Sequence, residues 1–197
     1  MKILFIHGLA SSGGYKTADT LRMLLKPCEV ISPDIPIEPD KALALLRELC
    51  LVESPDLVVG LSLGGFWAQK LRGYRKILIN PGFHASRLMR TMMGEVKYLS
   101  PRKDGALSFT LTEEICDEYE AMEDRQFEDI TPEEVSMTAG LFADHDEIVH
   151  WRDEFALHYP GKAYDFPGTH LPGFPQIKKY FLPIAREMME SDQSVHN

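Results

Sequence analysis

One serine stands where a nucleophile is expected. Gly60-Leu61-Ser62-Leu63-Gly64-Gly65 has the pattern G-x-S-x-G, between an apolar run and a helical one. The spacing has a steric cause. A nucleophile held on a sharp, strained turn brings together the residues two before and two after it, and only glycine or something nearly as small fits there. The serine oxygen is then pushed out above a sheet at the start of a helix. The plainer alternative is a glycine-rich turn with a capping serine; the strand-to-helix placement favours the nucleophile.

A serine hydroxyl needs a base to take its proton, and the base needs a carboxylate to orient it. Seven histidines compete: His7, His84, His145, His150, His158, His170 and His196. His170 is the candidate base, because Pro167-Gly168-Thr169-His170-Leu171-Pro172-Gly173 follows the last expected strand. His84, His158 and His196 read as ordinary surface. His7 ends the first expected strand and reads as a structural residue that holds its loop by hydrogen bonding.

For the acid, Ala143-Asp144-His145-Asp146-Glu147-Ile148-Val149 offers three carboxylates. Asp146 is favoured, because the apolar pair Ile148-Val149 can anchor the loop while the aspartate points toward His170. Asp144 is the second choice. The order Ser62, Asp146, His170 is the one this strand-turn-helix arrangement uses. The Asp-His-Asp run also suggests metal ligands, but no second cluster supports it and no metal is expected. A tetrahedral intermediate needs two donors for its oxyanion. The backbone N–H of Leu63 is one, and the N–H of Leu9, in His7-Gly8-Leu9-Ala10-Ser11-Ser12, is the expected second.

These residues need a frame. Apolar runs at 2–6, 29–32, 57–60 and 76–79, another within 134–142 and a last at 162–166 read as strands. Helical patterns lie between them at 16–25, 40–51, 64–71 and 151–158, and a final one at 175–190. Pro183 predicts a kink or break in that last helix, and 191–197 reads as a frayed tail. Near-continuous apolar strands alternating with helices imply an α/β fold: a mostly parallel sheet of about six strands, with helices on both faces. Ligands then sit at the carboxyl ends of the strands. Residues 1–197 read as one domain carrying a small helical, cap-like insertion at about 84–131.

Composition excludes other classes. The chain has 197 residues and a net charge of −9, with 44% hydrophobic residues, which is ordinary globular composition. Residues 112–134 hold eleven acids and one base, so the rest of the chain, with 19 acids and 20 bases, is close to neutral. No basic stripe exists to neutralise phosphates, which argues against nucleic-acid binding. Ile115, Tyr119 and Met122 recur at i, i+4, i+7, which predicts an acidic helix with its acids facing water. No apolar run approaches the ~20 residues of a membrane span, and the start is too short for a signal-peptide core. Cys28, Cys50 and Cys116 form no C-x-x-C, which excludes a cysteine zinc site and a disulfide framework and suits a reducing cytoplasm.

Taken together, His7-Gly8-Leu9, the Ser62 motif, Asp146-Glu147-Ile148-Val149 and Gly168-Thr169-His170 resemble the α/β-hydrolase superfamily. The small size, Ser-Leu-Gly-Gly, Asn80-Pro81-Gly82 and His170 with Phe174 are most similar to the YqiA-like bacterial esterases. The resemblance implies hydrolysis of a small-molecule ester or thioester, no cofactor and a cytoplasmic enzyme. A different scissile bond, such as a peptide or carbon–carbon bond, is the alternative chemistry. A non-catalytic protein docking a basic partner on its acidic helix is the alternative class. The Met-rich stretch 88–93 has two readings: wall of an acyl pocket over Ser62, or a short helix packed on the core.

Overall fold

A computed structural model describes residues 1–190, so the expected frayed tail and His196 lie outside the described residues. Strand β1 (Lys2–Ile6) leads into helix α1 (Lys16–Leu24), then β2 (Glu29–Ile31), α2 (Pro39–Glu53), β3 (Leu57–Leu61), α3 (Leu63–Lys70) and β4 (Lys76–Ile79). The insertion follows: α4 (Ala85–Arg90), β5 (Gly94–Lys97), β6 (Ser108–Leu111) and α5 (Glu113–Glu123). The chain returns through α6 (Pro132–Ser136), β7 (Thr138–Ala143), α7 (Arg152–His158) and β8 (Ala163–Phe166). It closes with α8 (Phe174–Gln176), a π turn at Ile177–Phe181 and α9 (Leu182–Glu190).

Six strands form one sheet in the order β2-β1-β3-β4-β7-β8, and every neighbouring pair is parallel. Period-two alternation divides the side chains between its faces. Ile3, Phe5, Leu57, Val59, Leu61, Ile77 and Ile79 pack with α1 and α9. Leu4, Ile6, Val58 and Leu78 pack on the other face with α2, α3, α7 and the insertion. Each side chain buried in this way contributes about 1.5–3 kcal/mol. Local chemistry sets the helix ends. Pro39 occupies the first turn of α2, and Ser54 stops the helix in the left-handed region (φ 47°). Thr112 caps α5 by accepting from the Ile115 N–H at 3.3 Å.

Two expectations need correction. The insertion is not purely helical: β5 and β6 pair antiparallel, Gly94 opposite Leu111. The acids of residues 112–134 do not all face water. Glu123 is buried and accepts from the Ser86 N–H at 2.8 Å and from the Ser86 hydroxyl. Glu134 lies in α6, buried against Lys76. Pro183, which has no N–H to donate, is the second residue of α9, directly after the π turn that interrupts the regular helix at Ile177–Phe181.

Candidate active site

The turn between β3 and α3 carries Ser62 at φ 58°, ψ −121°, a conformation that costs a non-glycine residue about 1–3 kcal/mol. Three backbone bonds hold it there. The Ser62 N–H donates to the Ile79 carbonyl at 3.0 Å, and the Ser62 carbonyl accepts from the Gly65 and Gly82 N–H groups at 2.8 Å each. Two glycines of the motif are required by contact. A Cβ on Gly60 would stand 2.1 Å from the Gly64 oxygen, and one on Gly64 would stand 1.9 Å from the Ile6 oxygen. The turn is therefore wedged against the end of β1.

The loops after β7 and β8 bring Asp146 and His170 together. His170 Nδ1 lies 2.7 Å from Asp146 Oδ2, and both residues are about 6% exposed. A carboxylate only accepts, so Nδ1 carries the proton and Nε2 is the nitrogen left for the cavity. Burial works against the Asp146 charge. The His170 bond and the Val149 and Ile148 N–H groups outweigh it and hold the carboxyl below its usual range. Those N–H groups reach Asp146 Oδ1 at 2.9 and 2.8 Å. The Ile-Val pair thus anchors the loop through its backbone and not through apolar burial, since Ile148 is 50% exposed. Asp144 has a different partner: its Oδ1 accepts from the Gly168 N–H at 2.9 Å and ties the two loops together. His145 points out to solvent.

His7 is buried and accepts from the Ile35 N–H on Nε2 at 3.1 Å, so its Nδ1–H donates to the Gly8 carbonyl at 2.8 Å. Burial is the main cause of its lowered pKa, with the nearby Arg102 adding to it. Gly8 passes so close to Ser62 that a Cβ there would lie 3.1 Å from the serine Cβ.

Two residues carry more than sequence reasoning assigned them. Asn80 sits at the end of β4 with φ 42°. Its Nδ2 donates to the His170 carbonyl at 2.8 Å, and its Oδ1 accepts from the Ala143 N–H at 2.8 Å. One amide therefore fixes the loops that bear His170 and Asp146. Its position at a carboxyl strand end was the available signal. His84 is not ordinary surface: its Nε2 contacts both Glu154 oxygens at 2.9 and 3.0 Å.

Two chambers meet at Ser62. The larger, about 270 Å³, has Ser62 and His170 in its wall together with Leu88, Met92, Val96 and Leu99. The smaller, about 120 Å³, is lined by Ser62, Leu63, His84, Arg87 and Trp151, and Leu9 borders both. The Met-rich stretch divides between its two readings. Met92 lines the larger chamber, Met89 is wholly buried in the core, and Met93 is 47% exposed. No helix of the described residues is long and apolar enough to cross a membrane.

A family model described as Uncharacterised protein family (UPF0227) matches residues 2–163. Curated proteins give no match. Solved structures give many. Est1E from Butyrivibrio proteoclasticus is 16% identical with a TM-score of 0.60, over 98% of this chain and 86% of that one. The methylesterase MES16 from Arabidopsis is 13% identical with a TM-score of 0.62, over 95% and 99%. The esterase domain of a Rhodothermus marinus protein is 18% identical with a TM-score of 0.60, over 94% and 86%. At these identities the shared property is the fold, which is that of the α/β-hydrolases.

Proposed function

The chain belongs to the UPF0227 family with an α/β-hydrolase fold, and we propose that it is a serine hydrolase of small carboxylic esters or thioesters. One observation carries the reading. Ser62, on a strained turn, shares a cavity wall with His170, whose other ring nitrogen is bound to Asp146 at 2.7 Å. The similar structures, an esterase domain and a methylesterase among them, support the same class.

In this mechanism Ser62 Oγ attacks the ester carbonyl while His170 Nε2 takes the serine proton. Asp146 keeps His170 in the tautomer that can accept, and stabilises the imidazolium once it forms. The oxyanion is met by the N–H groups of Leu63, at the start of α3, and Leu9, in the loop after β1. Preorganised donors of this kind are worth about 3–4 kcal/mol each. His170 then returns the proton to the leaving alcohol or thiol, and the acyl group stays on Ser62. Water, deprotonated by the same nitrogen, releases the acid and restores the serine. Every group used belongs to the chain.

Labelling with a fluorophosphonate probe tests this reading. Wild type is expected to label on Ser62, and Ser62→Ala not at all. Turnover on p-nitrophenyl esters of graded length, set against acyl-CoA, separates ester from thioester preference. A wild-type protein that neither labels nor turns over would leave a binding protein on a hydrolase fold.

A further inference from the structure

The chain has 30 acidic side chains against 21 basic ones, yet among the described residues no carboxylate lines either chamber at Ser62. The formally charged side chains that do are Lys97 in the larger chamber and Arg87 in the smaller. A random sample of this surface would favour the opposite sign.

Arg87 is held, not paired. Its guanidinium carbon lies 5.7 Å over the Trp151 ring. Trp151 meets the His84 ring edge-on at 4.6 Å, and His84 is committed to both oxygens of Glu154. The one carboxylate of α7 that faces this corner is thus already engaged. The next arginine on α4 behaves differently: Arg90 is neutralised by Asp117 and Glu120 at 2.6 Å each. Among the described residues no carboxylate pairs with Arg87. A guanidinium stacked on an aromatic face keeps its edge donors free for a planar anion.

Leu9, Leu88 and Ile148 border both chambers, and Ser62 stands where they meet. An ester bond presented to Ser62 must send one arm into each. The larger is walled by apolar side chains, Met92, Val96 and Leu99 among them. The smaller, at about 120 Å³, takes only a short group and has Arg87 in its lining. We propose that the substrate is an ester or thioester with one apolar arm and one short arm ending in a carboxylate, and that Arg87 binds that carboxylate. This rests on the hydrolase reading and adds the substrate class to it.

The test uses two pairs of substrates, each differing by one charge. O-Octanoyl glycolate against O-octanoyl glycolamide places the charge on the alcohol side. Mono-octyl malonate against octyl malonamate places it on the acyl side. Wild type is expected to prefer the charged member of one pair by about tenfold in kcat/KM, the scale of a charge-assisted hydrogen bond in a partly wet site. Arg87→Gln should bring that ratio to about one, and Arg87→Lys should keep part of it. Fluorophosphonate labelling of Ser62 in each variant shows that the site is intact. A ratio near one in both pairs for wild type, or a preference that survives Arg87→Gln, overturns the proposal. So does a wild type that cleaves p-nitrophenyl butyrate but none of the four octyl substrates. If p-nitrophenyl butyrate is not cleaved and Ser62 does not label, the hydrolase reading itself falls.

Discussion

The sheet buries an acid–base pair at each of its two edges, and they do opposite things. At the amino edge Lys76, fully buried at the start of β4, donates to Glu134 and to the Leu71 carbonyl at 2.9 Å. Glu134 also accepts from the Gly73 N–H and has Arg72 within 3.8 Å. That pair is closed: it looks inward onto loop backbone. At the carboxyl edge Asp146 and His170 are buried to a similar degree, but His170 lies in the wall of a cavity beside Ser62. Burial of charge is therefore no mark of a site. What distinguishes the second pair is one polar atom left over, facing a space that a ligand can enter.

Six substitutions probe that contrast. His170→Ala should have the largest effect, lowering ester turnover by about 10⁴-fold or more with the fold retained. Turnover within a tenth of wild type would break the distinction at once. Asp146→Asn should cost about 10³–10⁴-fold through the wrong tautomer, while Asp144→Asn, which keeps an acceptor for Gly168, should cost far less. Asp146 also has a pH signature. Its folded pKa lies below the ordinary 3.8, so its stabilising contribution is complete above about pH 4 and is lost as pH falls through the folded value. Acid unfolding followed by circular dichroism should lose that part of its slope in Asp146→Asn.

Lys76→Met should show the reverse pattern. It leaves Glu134 charged, with only the Gly73 N–H and the more distant Arg72 as partners, which costs about 3 kcal/mol in urea unfolding, while the folded fraction keeps its turnover. Adding Glu134→Gln should recover much of the loss. The smallest effect is expected at Glu123, whose carboxyl is pushed up mainly by burial, with Ser86 opposing. A raised folded value means that its contribution falls as pH rises from about 4.5 through that value. Glu123→Gln should flatten the dependence of melting temperature on pH in that window and leave turnover unchanged.

The turn at Ser62 was legible because G-x-S-x-G is a local pattern: Gly60 is demanded by the Gly64 backbone four residues on, although Gly64 itself is demanded by the remote Ile6 carbonyl at the end of β1. Asp146 and His170 were legible through topology, since both follow strands of a parallel sheet at its carboxyl edge. The hairpin was harder to read. Glu95-Val96-Lys97 and Phe109-Thr110-Leu111 alternate with period two, but each run is only four residues as a strand, and a long polar connection separates them. Glu123 and Glu134 were misread as solvent-facing because their partners, Ser86 and Lys76, are remote in sequence and have no motif that announces them. The setting of Arg87 was not legible either: it is made by His84, Trp151 and Glu154, and only the folded chain assembles it.

The position of the insertion also imposes an order in time. Residues 80–137 separate β4 from its sheet neighbour β7, and β2, β1, β3 and β4 form a contiguous half-sheet without anything that follows. A ribosome delivers that half, with the Ser62 turn built into it, before it delivers Asp146 or His170. Throughout that interval the nascent chain holds Ser62 without His170. It acquires both partners only when the second half docks and the Asn80 amide closes on the Ala143 N–H and the His170 carbonyl. On the proposed mechanism the chain is thus silent until it is whole, and Asn80, which joins the halves, is the same residue that holds the His170 loop.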